Sequence, residues 1–253
     1  MVGLTRAALD LTDATAVRAG FRRDNPQLVI HCAALSRSPE CEANPALARQ
    51  LNVEVTARLA ELAAAIPMIF LSTDLVFDGR HGNYDETAPV SPLGVYAATK
   101  AAAEQGILAN PKHTVVRLSL NGGTSPTGDR GFNEQMRRAW GAGQTLRLFT
   151  DEFRSPMAAE VTARAIWELA ARGQPGLYHV AGSERLSRWQ IGQLLAVRWP
   201  EWQPRIEAAA LREYRGAPRA PDSSLNCAKV QKLLSFRLPG LSEWLTAHPD
   251  AAF

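Results

Sequence analysis

Four short apolar runs, spaced by longer helix-like stretches, constrain this chain more than any other feature. They are Leu28-Val29-Ile30-His31-Cys32, Met68-Ile69-Phe70-Leu71-Ser72, Thr114-Val115-Val116-Arg117-Leu118 and Leu177-Tyr178-His179-Val180. Between the first two, residues 45–65 are rich in Ala and Leu at helical spacing, and residues 96–109 fill the next interval in the same way. Strands covered on both faces are apolar without alternation, and parallel neighbours need a crossover element between them. The order therefore predicts an α/β fold built on a mostly parallel sheet.

The second half reads differently. Turn-rich segments at residues 121–131 and 215–226 interrupt the alternation and predict a smaller lobe. Ser187 is a candidate N-cap for a helix over 187–199, with Trp189, Ile191, Leu194, Leu195 and Val197 as its apolar positions, and residues 229–247 predict one or two short helices. A chain of 253 residues, 46% hydrophobic and with a net charge of +3, can bury a sizeable core but has no clustered basic face. Nucleic acid is therefore not an expected partner. Cys32, Cys41 and Cys227 form no CxxC pair and no Cys/His cluster, so neither a disulfide framework nor a metal site is expected. No window approaches the ~18 apolar residues of a membrane span, and a cytoplasmic location is the default expectation.

The chemistry concentrates in two segments. In Tyr96-Ala97-Ala98-Thr99-Lys100, residues four apart share a helix face, so a phenol and an ammonium meet one ligand. The ammonium is expected to lower the Tyr96 pKa and suit it to donate a proton to a carbonyl being reduced. Upstream, Phe70-Leu71-Ser72-Thr73-Asp74 ends an apolar strand in two hydroxyls and a carboxylate, and ligands of open α/β sheets lie beyond the carboxyl ends of strands. Thr73, Tyr96 and Lys100 thus form one candidate site. A plain Ser-Thr-Asp turn beside an exposed Tyr/Lys pair is the structural alternative.

The run Ser72-Thr73-Asp74-Leu75-Val76-Phe77-Asp78-Gly79, followed by Pro92-Leu93-Gly94-Val95-Tyr96-Ala97-Ala98-Thr99-Lys100, resembles the catalytic region of the dTDP-4-dehydrorhamnose reductases, within the extended short-chain dehydrogenase/reductases. The resemblance implies a Rossmann-type cofactor domain over 1–120 and a mainly substrate-binding lobe over 121–253, interleaved with the last elements of the sheet. It implies NADPH or NADH as cofactor and reduction of the 4-keto group of a nucleotide-activated deoxysugar. Tyr96 would protonate the carbonyl oxygen, Lys100 would hold the nicotinamide ribose, and Thr73 would bind the substrate. For the cofactor it implies Arg6, Asp10, Leu11, Cys32, Ala33, Ala34, Asn52, Ser72, Leu118 and Ser119 as well as Lys100; for the substrate it implies Asp74, Arg154 and Arg219, the two arginines toward phosphate. Asp10 could equally serve a helix start, with Asp13 the better cap, and Asn52 could equally bond buried backbone. Leu75 stands where the family carries an aromatic residue. By the same analogy the 45–65 and 96–109 helices could pair in a homodimer.

The family's glycine-rich first turn, which holds the cofactor pyrophosphate, has no counterpart here, and Val2-Gly3-Leu4-Thr5-Arg6 resembles the family's second strand. The expectation is a fold shortened by one strand and one helix, with a recorded start downstream of the true one favoured over a truncated paralogue that cannot hold the dinucleotide well. On that view Val2 to Arg6 keeps the register of an internal strand, and the polypeptide as written is poorly stable or self-associating. An epimerase or dehydratase of the same superfamily is the enzymatic alternative. A non-catalytic subunit, like the methionine adenosyltransferase regulatory subunit, is the alternative of a different class.

Overall fold

All four apolar runs pair into a single parallel sheet in the computed structural model, which describes residues 1–251 and 253. In chain order the elements are α1 (Ala14–Asp24), β1 (Val29–His31), α2 (Ser38–Ala43), α3 (Pro45–Arg49), α4 (Val55–Leu62), β2 (Met68–Thr73), α5 (Val95–Leu108), β3 (Thr114–Leu118), β4 (Asn121–Gly122) and α6 (Phe132–Gly141). They continue with β5 (Thr145–Phe149), β6 (Phe153–Arg154), β7 (Met157–Ala158), α7 (Ala159–Arg172), β8 (Gly176–Val180), β9 (Leu186–Ser187), α8 (Arg188–Arg198), β10 (Arg205–Ala209), α9 (Ala228–Gln231) and α10 (Leu241–Ala247). The sheet order is β1-β2-β3-β8. Its last strand comes from the second half of the chain.

Helices cover both faces of this sheet. Met68 and Phe70 of β2 point with Val115 toward Val17, Val55, Leu59 and Ile107 of the α1, α4 and α5 layer. Ile69, alternating to the other face, packs with Val116, Tyr178, Ala165, Ile166 and Leu169. That double burial is why these strands read as unbroken apolar runs. A second core is built on Phe132, Trp140, Leu148, Ile191, Leu195 and Trp244. There Ser187 caps α8, accepting from the Gln190 backbone at 3.1 Å while the Gln190 side chain accepts from the Ser187 N–H at 2.8 Å.

Two expectations are corrected. Residues 45–65 are not one regular helix: α3 and α4 flank a π-helical turn over Gln50–Glu54. The extra residue in that turn breaks the 3.6-residue repeat without leaving a mark in composition. Val2 to Arg6 is not a strand, and Met1, Val2 and Leu4 are exposed. A strand exists only through ladder bonds to a neighbour, and no described strand lies beside residues 2–6 to supply them. β1 is likewise paired on one side only among the described residues.

The loop after β2 is clipped to residues 220–226 next to the strand ends. Gly79, at φ +78°, lets the loop after β2 press against residues 220–222, where an added Cβ would meet Ala220, Pro221 and Asp222 atoms at 2.8 Å. Asp222 N–H donates to the Gly79 carbonyl at 3.1 Å, and Tyr84 pairs with 224–226 through bonds of 2.9 and 2.7 Å.

Candidate active site

Thr73 ends β2 and caps the 3₁₀ turn over Asp74–Val76, its hydroxyl accepting from Leu75 N–H at 3.2 Å and donating to Asp74 Oδ1 at 3.2 Å. Tyr96 stands in the first turn of α5, close enough to Thr73 and Asp74 for both to act on its phenol. Burial and the Asp74 carboxylate push its phenol up to about 12, against the opposing effects of Thr73 and Arg154. This corrects the expected lowering by Lys100. The Lys100 ammonium instead donates to the Leu71 carbonyl at 2.6 Å and lies 3.8 Å over the Phe70 ring. Burial pulls Lys100 down to about 7, with Glu104 opposing that shift. Tyr96 therefore stays protonated at neutral pH, the state in which a phenol donates a proton. Leu75, Phe77, Leu93, Tyr96, Pro218 and Ala220 border a small cavity of about 20 Å³ here.

Asp74 is fully buried and joins the end of β2 to β6. Arg154 grips it with both nitrogens, Nε to Oδ2 at 2.7 Å and Nη2 to Oδ1 at 2.5 Å, while Ser119 donates to Oδ2 at 2.7 Å. Its oxygens are turned into this network, so Asp74 orders the site from beneath. Arg219 is committed similarly, to buried Glu152 at 2.7 and 2.9 Å. A phosphate at either arginine would share the guanidinium with a carboxylate already in place. Arg188 lies 3.8 Å from the same Glu152, with burial pulling its pKa down to about 10.

The residues expected to meet the cofactor divide into three groups. Cys32, Ala33 and Ala34 follow β1 as an exposed run of small side chains, where a ribose can reach the backbone. Asn52 is buried and holds the next residue in place: its Oδ1 accepts from Leu35 N–H at 2.8 Å, and its Nδ2 donates to the Leu35 carbonyl and to Thr99 at 3.1 and 3.0 Å. That is the backbone-bonded alternative. Asp10 is exposed and closes a local turn with Thr12 at 2.9 and 2.8 Å beside part-buried Leu11, and Asp13 caps α1. Arg6 is exposed in the irregular N-terminal segment. Ser72 turns inward, donating to Glu104 at 2.5 Å, and Ser119, after part-buried Leu118 at the end of β3, bonds Asp74. The open strand end, the Asn52-held loop and Lys100 fit the ribose-nicotinamide end of a dinucleotide. The three cysteines are free.

Sequence reasoning missed the polar and titratable groups beneath the site: Glu104, Arg117, His179, His31 and Glu152. The signal was present, since His31, Arg117 and His179 sit inside otherwise apolar strands. His31 bonds Thr56 at 3.0 Å, and burial and then Lys100 lower it to about 4. His179, lowered to about 4 by burial and then by Arg117, has Nδ1 at 3.0 Å from the Tyr84 carbonyl and Nε2 at 3.3 Å from Arg117, which together require the neutral tautomer. In the unfolded chain both take up a proton below their ordinary 6.5, but in the folded chain only near 4. Their contribution to stability is complete above pH 6.5 and is lost as pH falls toward 4, up to about 3 kcal/mol each. Urea unfolding at closely spaced pH values should show stability falling between pH 6.5 and 5, before most carboxylates titrate. A flat profile there would contradict neutral buried histidines.

Among the described residues no helix is long and apolar enough to cross a membrane. A family model described as the RmlD substrate binding domain matches residues 1–251. The chain is 31% identical over 252 residues to the probable low-salt glycan biosynthesis reductase Agl14 of Haloferax volcanii, covering 97% of this chain and 84% of that protein. It is 28% identical to a dTDP-4-dehydrorhamnose reductase of Sinorhizobium fredii, covering 95% and 85% of the two chains. The methionine adenosyltransferase 2 subunit beta of Xenopus laevis is 27% identical, over 89% of this chain and 70% of that one. Among solved structures, a dTDP-4-dehydrorhamnose reductase of Bacillus anthracis in complex with NADP superposes with a TM-score of 0.88 at 22% identity, over 96% and 87% of the chains.

Proposed function

The chain belongs to the RmlD substrate binding domain family, and from that premise we propose that it is an NAD(P)H-dependent oxidoreductase that reduces the 4-keto group of a nucleotide-activated deoxysugar. The observation that carries this reading is the placement of Thr73 at the carboxyl end of β2 with the Tyr96 phenol near it and Lys100 one helical turn further along α5. The nicotinamide supplies a hydride when bound. Thr73 orients the substrate carbonyl toward Tyr96, and Tyr96 gives its proton to the carbonyl oxygen as charge builds there. Lys100, charged, holds the ribose hydroxyls and then stabilises the phenolate that remains. Asp74 and Arg154 hold Thr73 and the substrate lobe in register, and Arg219 stands on the lobe side for the nucleotide. Support comes from the reductase names among the relatives and from the NADP complex of the Bacillus anthracis protein.

Titration of the purified protein with NADPH and NADH, followed by nicotinamide fluorescence, tests the reading; turnover of dTDP-4-keto-6-deoxy sugars is the second step. Saturable micromolar binding together with substrate-dependent oxidation of the cofactor is expected. The likeness to methionine adenosyltransferase 2 subunit beta favours one rival, a non-catalytic binding subunit. Cofactor binding with no turnover on any keto sugar nucleotide would favour that rival.

A further inference from the structure

A row of polar side chains crosses one buried face of the main sheet. Ser72 on β2 is the register neighbour of Arg117 on β3, and Arg117 is the neighbour of His179 on β8. Glu104 reaches this row from α5, and all four residues are buried. Its Oε1 accepts from Ser72 at 2.5 Å and from Arg117 Nε at 3.0 Å, and its Oε2 accepts from Arg117 Nη2 at 2.7 Å. One turn earlier on the same helix, Lys100 faces the sheet through the Phe70 ring and the Leu71 carbonyl.

The surface of α5 gives this arrangement its weight. Its buried contacts include Ala97, Ala101 and Ala103, short side chains that define the rotation of a helix over a sheet only loosely. A carboxylate gripped by three hydrogen bonds defines it sharply. We infer that Glu104 is a positioning residue: anchored by Ser72 and Arg117, it sets the rotation of α5 and places a counter-charge one helical turn from the Lys100 ammonium at the reaction site. The proposed reduction enters only as the use made of Lys100.

The groups facing Lys100 leave this task to Glu104. His31 and Cys32 approach it from β1, but His31 is neutral above about pH 4, and burial raises the Cys32 thiol. The sheet offers a ring and a carbonyl, and Arg117 adds a second cation behind Glu104, with neutral His179 beyond it. Glu104 is the carboxylate that acts on Lys100, against a burial that already draws the ammonium toward neutrality.

Lysine-selective ¹⁵N labelling makes the side-chain nitrogens visible to NMR. Lys112, Lys229 and Lys232 are exposed and serve as internal references for buried Lys100. In Glu104→Gln, which keeps an acceptor for Arg117, the Lys100 midpoint should fall by about one pH unit or more. Glu104→Asp, with the charge retained but withdrawn, should fall less. The alkaline limb of kcat/KM should move down in step. An unchanged Lys100 midpoint in Glu104→Gln overturns the inference, as does a uniform loss of rate with no shift of the limb. Should Glu104→Gln not fold, the comparison of Glu104→Asp with the parent decides in the same way, no shift counting against the role. Because the NMR titration needs neither cofactor nor sugar, a shifted Lys100 without turnover would count against the proposed reaction alone, and turnover with an unshifted Lys100 against this inference alone.

Discussion

Replacing Tyr96 by phenylalanine is expected to lower kcat/KM for carbonyl reduction by about 100- to 10,000-fold, the usual contribution of a positioned general acid, while leaving NADPH affinity within a few-fold of the parent. The substitution removes one oxygen and keeps the ring in its seat at the start of α5. Its fold should be undisturbed, because the neighbouring Thr73 hydroxyl retains Asp74 and Leu75 as partners. Steady-state rates with a dTDP-4-keto sugar, alongside cofactor titration, check both parts. Retention of more than about a tenth of the parent kcat/KM would remove Tyr96 from the proposed acid role.

Breaking the Asp74–Arg154 pair should have the largest effect on stability. Asp74 is fully buried and Arg154 nearly so, and the two join the end of β2 to β6. Asp74→Ala leaves a guanidinium buried without its carboxylate, a loss of about 3–5 kcal/mol. For a chain of this size that lowers Tm by roughly 10 °C. Replacing both partners with leucine removes the uncompensated charge, so the double variant should be more stable than the sum of the two single losses implies. Chemical denaturation of the two single variants and the double variant measures the coupling. Strict additivity, or a single-variant loss below about 1 kcal/mol, would show that the pair does not hold β2 to β6.

Much of the scaffold was legible because strand burial on both faces writes itself as short apolar runs. β2 and β3 fall where Met68–Ser72 and Thr114–Leu118 predict them, and Ser187 caps the helix expected after it. The π turn at Gln50–Glu54 was not legible, since an inserted residue alters backbone geometry while leaving the Ala/Leu pattern readable as one helix. Val2 to Arg6 misled for a different reason. Its residues suit a strand, but strand formation depends on a neighbour that local sequence does not reveal.

The candidate site divides in the same way. Sequence alone determined the parallel sheet and put Thr73 at a strand end and Tyr96 and Lys100 on one helix face, because strand and helix periodicities are local properties of the chain. Only the tertiary structure decided what those groups experience. Packing turned Asp74 toward Arg154, bound Arg219 to Glu152 and seated Lys100 against Phe70 and Leu71, and burial with the Asp74 charge raised Tyr96 where the nearby lysine alone predicted lowering. Ionisation and hydrogen bonding depend on desolvation and on partners far apart in the chain, which meet only once the whole chain has folded around the sheet.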